Sequence, residues 1–180
     1  MDFNALPNDL RLKAQMIRLL IMDVDGVLSD GKVYYSNSGD ELKNFNIKDG
    51  LGIKLLQQNN IKTAIITGRH SAIVERRAKE LGIEFVFQGK SDKRAAFNEL
   101  LQLCQVSANQ VAHIGDDLPD LPLMQMAGLG IAVQDGNWFV KQHADWITTA
   151  GGGMGAVRET AELLLFSQQA LESTYQQYLS

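Results

Sequence analysis

Apolar positions along the chain fall into short compact runs separated by longer stretches with helical spacing. Residues 16–22, MIRLLIM, form such a run, the pattern of a buried strand, and it ends on Asp23-Val24-Asp25. The next segment, GKVYYSNSGDELKNFNI, has β-branched and aromatic residues on both sides of Ser36-Asn37-Ser38-Gly39-Asp40, which predicts a β-hairpin over about 31–47. From there the period alternates. Helices are expected over 50–60, 71–82, 92–104, 119–128, 137–144 and about 155–178, and strands over 61–67, 83–88, 110–115, 129–133 and 145–149. The polar segment ahead of residue 16 is assigned no element.

Strands alternating with helices make βαβ units, whose right-handed crossovers close onto a parallel sheet covered on both faces. The fold class is therefore a doubly wound α/β parallel sheet. In such sheets ligands bind beyond the carboxyl ends of the strands, so the residues that follow each strand carry the chemistry. They are Asp23 and Asp25, then Thr67-Gly68-Arg69, then Gly115-Asp116-Asp117 with Asp120 close behind. Lys93 starts a helix after the QGKSD turn and can face the same edge.

One carboxylate at a strand end means little, because Asp caps turns and helices. Three acidic positions from two strands repel one another, and Lys93 alone does not neutralise them. An oxygen-rich set of this kind suits Mg²⁺, which takes carboxylates together with waters and phosphate oxygens. An EF-hand loop counted from Asp23 would need glycine sixth and glutamate twelfth, where the chain has Leu28 and Tyr34. A receiver domain would end a middle strand in its phospho-accepting Asp, whereas this one ends in Thr67-Gly68-Arg69.

Bulk properties narrow the partners. A chain of 180 residues, 45% apolar and 21% charged, is expected to fold as one soluble domain, 1–180. A net charge of -4 argues against a nucleic-acid binder, which needs a basic face. The absence of a long apolar run or signal-like core argues against membrane or export, leaving the cytoplasm as the expected location. Cys104 has no disulfide partner and follows Phe97 and Leu101 at helical spacing, so it is assigned to the core; His70, His113 and His143 share no metal-ligand spacing and are read as structural.

DVDGVL, ITGR, Lys93 and GDDLPD resemble, in order, the four motifs of the haloacid dehalogenase-like phosphatases. The longer blocks DVDGVLSDG, NFNIKDGLGIKLL, AIITGR, QGKSDK, HIGDDLPD and GGGMGAVRE are similar to the family that dephosphorylates 3-deoxy-D-manno-octulosonate 8-phosphate (KDO 8-phosphate), over roughly residues 17–165. The related family acting on a nine-carbon acylneuraminate 9-phosphate has much the same motifs, so both sugar acids stay open. A non-catalytic binding or assembly module is the reading of a different class. The intact set Asp23, Asp25, Thr67, Lys93 and Asp116 speaks against it.

The resemblance implies a Rossmann-like fold, a place in lipopolysaccharide synthesis, and the following roles. Asp23 is the nucleophile that forms an aspartyl-phosphate, and Asp25 is the acid that protonates the leaving oxygen and then the base that activates water. Asp23, the Asp25 carbonyl and Asp116 hold Mg²⁺; Thr67 and the Gly68 amide bind phosphate oxygens, and Lys93 offsets the developing charge. Asp117 and Asp120 either support the site or, for Asp120, start a helix between Pro119 and Pro122. Asn46, Ile47, Lys48, Asp49, Gly50 and Lys54 line the entrance, while Arg69 and Arg77 meet the substrate's carboxylate or phosphate. For Arg76 and Arg77 a solvated helix face is the equal alternative. Met154 stands where related chains often have a more polar or basic residue, which leaves the substrate contact of GGGMGAVRE open.

Only about 40 residues separate Asp25 from Thr67, and the hairpin takes a third or more of them. No separate cap domain fits there. The resemblance implies a homotetramer, in which the hairpin and the C-terminal tail carrying Arg158 cover neighbouring active sites and exclude water.

Overall fold

The structure is a computed structural model that describes residues 3–179. The strands are β1 (Leu19–Met22), β2 (Tyr34–Tyr35), β3 (Glu41–Leu42), β4 (Lys62–Ile66), β5 (Phe85–Phe87), β6 (Val111–Gly115), β7 (Leu129–Ala132) and β8 (Trp146–Ile147). The α-helices are α1 (Asn8–Met16), α2 (Ile47–Gln58), α3 (Ala72–Leu81), α4 (Lys93–Cys104), α5 (Leu121–Met126), α6 (Trp138–Gln142), α7 (Ala156–Ser167) and α8 (Leu171–Gln176). Six strands form a parallel sheet in the order β5-β4-β1-β6-β7-β8, and β2 pairs with β3 as a separate antiparallel hairpin.

All four residues of β1 are buried because the strand is central and covered on both faces. The period of two divides its side chains. Leu20 and Met22 pack with Ile65 and Ile114 under Ile53 and Leu56 of α2 and Val157 and Leu164 of α7. Leu19 and Ile21 pack with Ala64 and Ile66 under Phe97, Leu100 and Cys104 of α4 and Leu123 of α5. From β1 the chain builds outward through β4 and β5, then returns to place β6 on the other side of β1. The switch point therefore lies between β1 and β6, which are followed by Asp23 and Asp116.

The structure departs from the sequence reading in three elements. The N-terminal segment is helical: Leu10, Ala14 and Ile17, spaced i, i+4, i+7, are buried in the same core cluster as α7, and exposed Met16 belongs to this helix rather than to the strand. The hairpin is mostly loop, with two paired residues on each side. The helix expected over about 155–178 is two. Gln169 at φ 59°, Gln169 N–H donating to Phe166 O at 2.9 Å and Ala170 N–H to Leu165 O at 2.8 Å form a left-handed cap that ends α7. That cap usually uses glycine. With Gln in its place, the break had no visible signal.

Candidate active site

Register brings the first acidic group into place. Asp23 follows directly on Met22, which pairs with Ile65 and Ile114, and its N–H donates to Ile114 O at 3.2 Å. Asp116 stands just beyond Gly115, on the neighbouring strand end. Lys93 is the first residue of α4, whose cap Asp92 accepts from the Arg94 N–H at 3.0 Å. The turn leading into α4 is tied to the end of β4: Lys90 N–H donates to Thr67 O at 3.1 Å, and Gly89 N–H to Arg69 O at 3.1 Å. These backbone bonds carry Lys93 inward, where Nζ donates to Asp23 Oδ1 at 2.9 Å and to Asp120 Oδ1 at 2.7 Å.

Asp120, with Asp117, was left undecided by the sequence. It is buried, and its carboxylate accepts from Lys93, from the Asp116 N–H at 3.0 Å and from the Asp117 N–H at 3.4 Å, with His113 Nε2 at 3.3 Å. Close approach of this side chain leaves no room for a Cβ at Gly115, which would meet Asp120 Cβ at 2.4 Å. In the same way a Cβ on Gly26, at φ 94°, would stand 2.2 Å from Asp116 Oδ2. His113 is more than packing, since it reaches the site through Asp120. Its Nδ1 is buried without a hydrogen-bond partner.

Asp23, Asp116 and Asp120 offer carboxylate oxygens that lie within 4.8 Å of one another. Burial and the charge of Asp120 push the Asp23 carboxyl up to about 7, although Lys93 pulls it down. Burial and the charges of Asp120, Asp23 and Asp117 push Asp116 up to about 8. Asp120 goes the other way: burial opposes it, but His113 and Lys93 hold it far below the ordinary carboxylate range. Burial likewise opposes ionised Lys93, and the charges of Asp23 and Asp120 overcome it and raise the ammonium further. One ammonium, bonded to Asp23 and Asp120, stands among three carboxylates, so the cluster has room for a further cation beside Asp116. The hard oxygen donors of Asp23 and Asp116 fit Mg²⁺. Asp120 already has its oxygens occupied by Lys93, His113 and two amides, and it orients the others.

Asp25 lies outside that cluster. Its carboxylate meets Lys43 Nζ, and Oδ2 stands 3.8 Å from Arg69 Nε. Arg69 Nη2 also donates to Tyr35 Oη at 2.9 Å and to Glu41 Oε1 at 3.2 Å, while Ser71 Oγ donates to Glu41 Oε2 at 3.1 Å. Lys43 and Glu41 were missed in the sequence, where the hairpin was expected to cover a neighbouring subunit's site rather than to reach Asp25 of its own. Thr67 is buried at the end of β4 with Oγ1 3.5 Å from the Arg69 N–H, and Gly68 beside it is exposed.

Several residues expected at the entrance do other work. Asn46 caps α2, accepting from the Lys48 N–H at 2.8 Å, and donates to Gly153 O at 3.2 Å. Asp49 is turned inward, accepting from Gly155 N–H at 3.2 Å and Arg158 N–H at 2.7 Å, so it anchors the start of α7. Burial raises its carboxyl despite those amides. Gly50 is buried against Arg77, whose Nη2 would be 2.6 Å from a Cβ there. Arg77 lies over the Phe45 ring at 5.8 Å and beside Glu80 at 3.5 Å, which makes it packing for the start of α2, while Arg76 is a solvated partner of Glu80. Ile47 and Lys48 are exposed at the first turn of α2. Lys54 is two turns further along, exposed beside Gln57, Gln58 and Lys79, and not with the carboxylates.

Arg158, expected on the tail that covers a neighbouring site, lies apart from the carboxylates of its own subunit. Its guanidinium pairs with Glu162 at 2.6 Å and Tyr175 Oη at 2.9 Å, in a groove of about 880 Å³ that Leu51, Leu55 and Phe166 line and none of the site carboxylates reaches. The glycine segment ahead of α7 does border the site. Gly153 N–H donates to Val27 O at 2.8 Å and Gly152 N–H to Asp135 Oδ1 at 2.9 Å, pinning the loop that follows Asp25, and Met154 is left exposed.

Comparison with known proteins gives a consistent set of matches. A family model for haloacid dehalogenase-like hydrolases matches residues 83–152. The 3-deoxy-D-manno-octulosonate 8-phosphate phosphatase KdsC of Escherichia coli K12 is 47% identical over 170 residues, covering 94% of this chain and 90% of that protein. Its counterpart in Salmonella typhimurium is 49% identical over 160 residues, covering 89% and 85%. A crystal structure of the Moraxella catarrhalis phosphatase in complex with magnesium, phosphate and KDO superposes with a TM-score of 0.94 at 46% identity, covering 96% of this chain and 99% of that one.

Proposed function

From its membership in the 3-deoxy-D-manno-octulosonate 8-phosphate phosphatase family of haloacid dehalogenase-like hydrolases, to which this chain belongs, we propose that it hydrolyses KDO 8-phosphate to KDO and phosphate with Mg²⁺, in lipopolysaccharide synthesis. The observation that carries the reading is the group of buried Asp23 and Asp120 with half-buried Asp116 around Lys93, at the switch point of the sheet. Asp23 Oδ attacks phosphorus, and the bond from phosphorus to the sugar oxygen breaks as Asp25 protonates that oxygen. Water then gives a proton to Asp25 and attacks phosphorus, which releases phosphate and frees Asp23. Asp23, the Asp25 carbonyl and Asp116 would hold Mg²⁺, which would supply positive charge for the phosphate oxygens. Lys93 keeps Asp23 oriented and neutralises part of the charge, and Thr67 with the amide of Gly68 receives the remaining oxygens.

The hairpin is too small to close over the site, so a neighbouring subunit is proposed to supply the cover, in a cytoplasmic homotetramer. Exposed Tyr34, Leu42, Ile47 and Met154 support such a contact, being apolar groups on the hairpin, α2 and the glycine segment. Among the described residues no helix is long and apolar enough to cross a membrane.

The test is phosphate release over a panel of sugar phosphates with Mg²⁺, including KDO 8-phosphate and an acylneuraminate 9-phosphate. Preference for KDO 8-phosphate, lost with chelator, is expected. Equal rates on simple hexose phosphates would remove the substrate assignment.

A further inference from the structure

Two aspartates at spacing two each meet a buried lysine, and the two lysines come from different parts of the fold. Lys93 on α4 holds Asp23, within the cluster described above. Lys43, just past β3 of the hairpin, holds Asp25, and its side chain has 0% exposed surface. A lysine stem that leaves water altogether needs its ammonium paired, and the partners here are Asp25 and, at 3.4 Å, Glu41 Oε1. Arg69 Nε faces the other Asp25 oxygen at 3.8 Å. Thus the two oxygens of Asp25 face different cations, and the plane of the carboxylate is fixed from both sides. Glu41 in turn is held by Arg69 and Ser71, which ties the hairpin to the end of β4.

We propose that Lys43 is a positioning residue for Asp25: the hairpin, through Lys43, aims the carboxyl group that serves the leaving oxygen. This rests on the phosphatase reading above. Acid-base groups contribute only when held at hydrogen-bonding geometry, and a displacement of about 1 Å is enough to cost on the order of a hundredfold. The hairpin then has a role within its own subunit, apart from any contact it makes with another.

The experiment compares kcat/KM of wild type and Lys43→Met on KDO 8-phosphate and on p-nitrophenyl phosphate. This ratio reports the steps through departure of the leaving group. A sugar alkoxide needs a proton to leave and p-nitrophenolate does not. Lys43→Met is expected to lower kcat/KM for KDO 8-phosphate by about 10- to 100-fold and for p-nitrophenyl phosphate by less than about threefold, with the Mg²⁺-induced rise in Tm retained. A conservative Lys43→Arg change is expected to recover part of the loss. Equal losses on the two substrates, or no loss on either, would overturn the proposal. If Lys43→Met does not fold, Glu41→Gln decides by the same ratio, with a smaller difference expected. A wild type that cleaves neither substrate would remove the phosphatase reading itself, whereas a wild type active on both with equal losses in the variant removes only the role of Lys43.

Discussion

The strand-edge cluster and the hairpin network touch neighbouring residues, Asp23 and Asp25, yet their charges add up differently. At the strand edge, Asp23, Asp116 and Asp120 face Lys93, and burial together with the surplus of negative charge drives the carboxyls of Asp23 and Asp116 up toward neutral pH. In the hairpin network, Asp25 and Glu41 face Lys43 and Arg69, two against two. The difference separates ligand site from support. An imbalance buried in low dielectric is tolerated where a cation or substrate completes it, while a balanced set spends its charges on holding geometry.

Changes at the cluster therefore have the larger effects. Asp23→Asn is expected to lower kcat by more than about a thousandfold, measured as phosphate release, because it removes the attacking oxygen. Turnover near the wild-type rate would exclude an aspartyl-phosphate. Next comes Asp120→Asn, which removes the charge that pairs with Lys93 and His113 without touching the direct donors of the metal. It should weaken Mg²⁺ about 10- to 100-fold in a titration followed by Tm, and an unchanged affinity would show that Asp120 does not orient the site. On the hairpin side, Glu41→Gln keeps the shape and removes one charge of a balanced set. A fall in kcat of only a few-fold is expected, with Mg²⁺ affinity as in the wild type; a loss as deep as that of Asp120→Asn would erase the distinction between the two regions. The smallest effect on activity is expected for Asp49→Ala, which removes the anchor of α7. A loss of about 0.5 to 2 kcal/mol in denaturant unfolding, at nearly constant KM, separates this structural carboxylate from an entrance residue.

Much of the cluster was legible because strand ends announce themselves. MIRLLIM, TAII and VAHIG run directly into Asp23, Thr67 and Asp116, and a parallel sheet must bring those ends to one edge. Lys93 was legible for the same reason, as the start of a helix. The direction in which a side chain turns was not. Asp49 and Arg158 sit in blocks that pointed to substrate, but Asp49 faces the amides of α7 and Arg158 faces Tyr175, contacts more than 100 residues and 17 residues away in sequence. Lys43 escaped notice because a lysine in a polar hairpin ordinarily points to water, and its burial depends on Asp25 being within reach. The capped break at Gln169 and the helix α1 were hidden in a similar way, one by a residue seldom used there and the other by only two buried residues, Leu10 and Ala14, in a polar stretch.

The charge surplus also fixes a sign for pH. Without metal, the raised carboxyls of Asp23 and Asp116 hold protons that the unfolded chain gives up near its ordinary carboxylate range, about 4. Their contribution to stability is thus complete below that range and is lost as pH rises through about 7 to 8. Mg²⁺ displaces the same protons. Calorimetric titration of the metal-free protein with Mg²⁺, in buffers of different ionisation enthalpy, measures them directly. The account predicts proton release on binding at neutral pH that disappears in alkaline buffer, with tighter binding as pH rises across the window and no such binding in Asp116→Asn. Binding without proton release at neutral pH, or binding unaffected by Asp116→Asn, would contradict it.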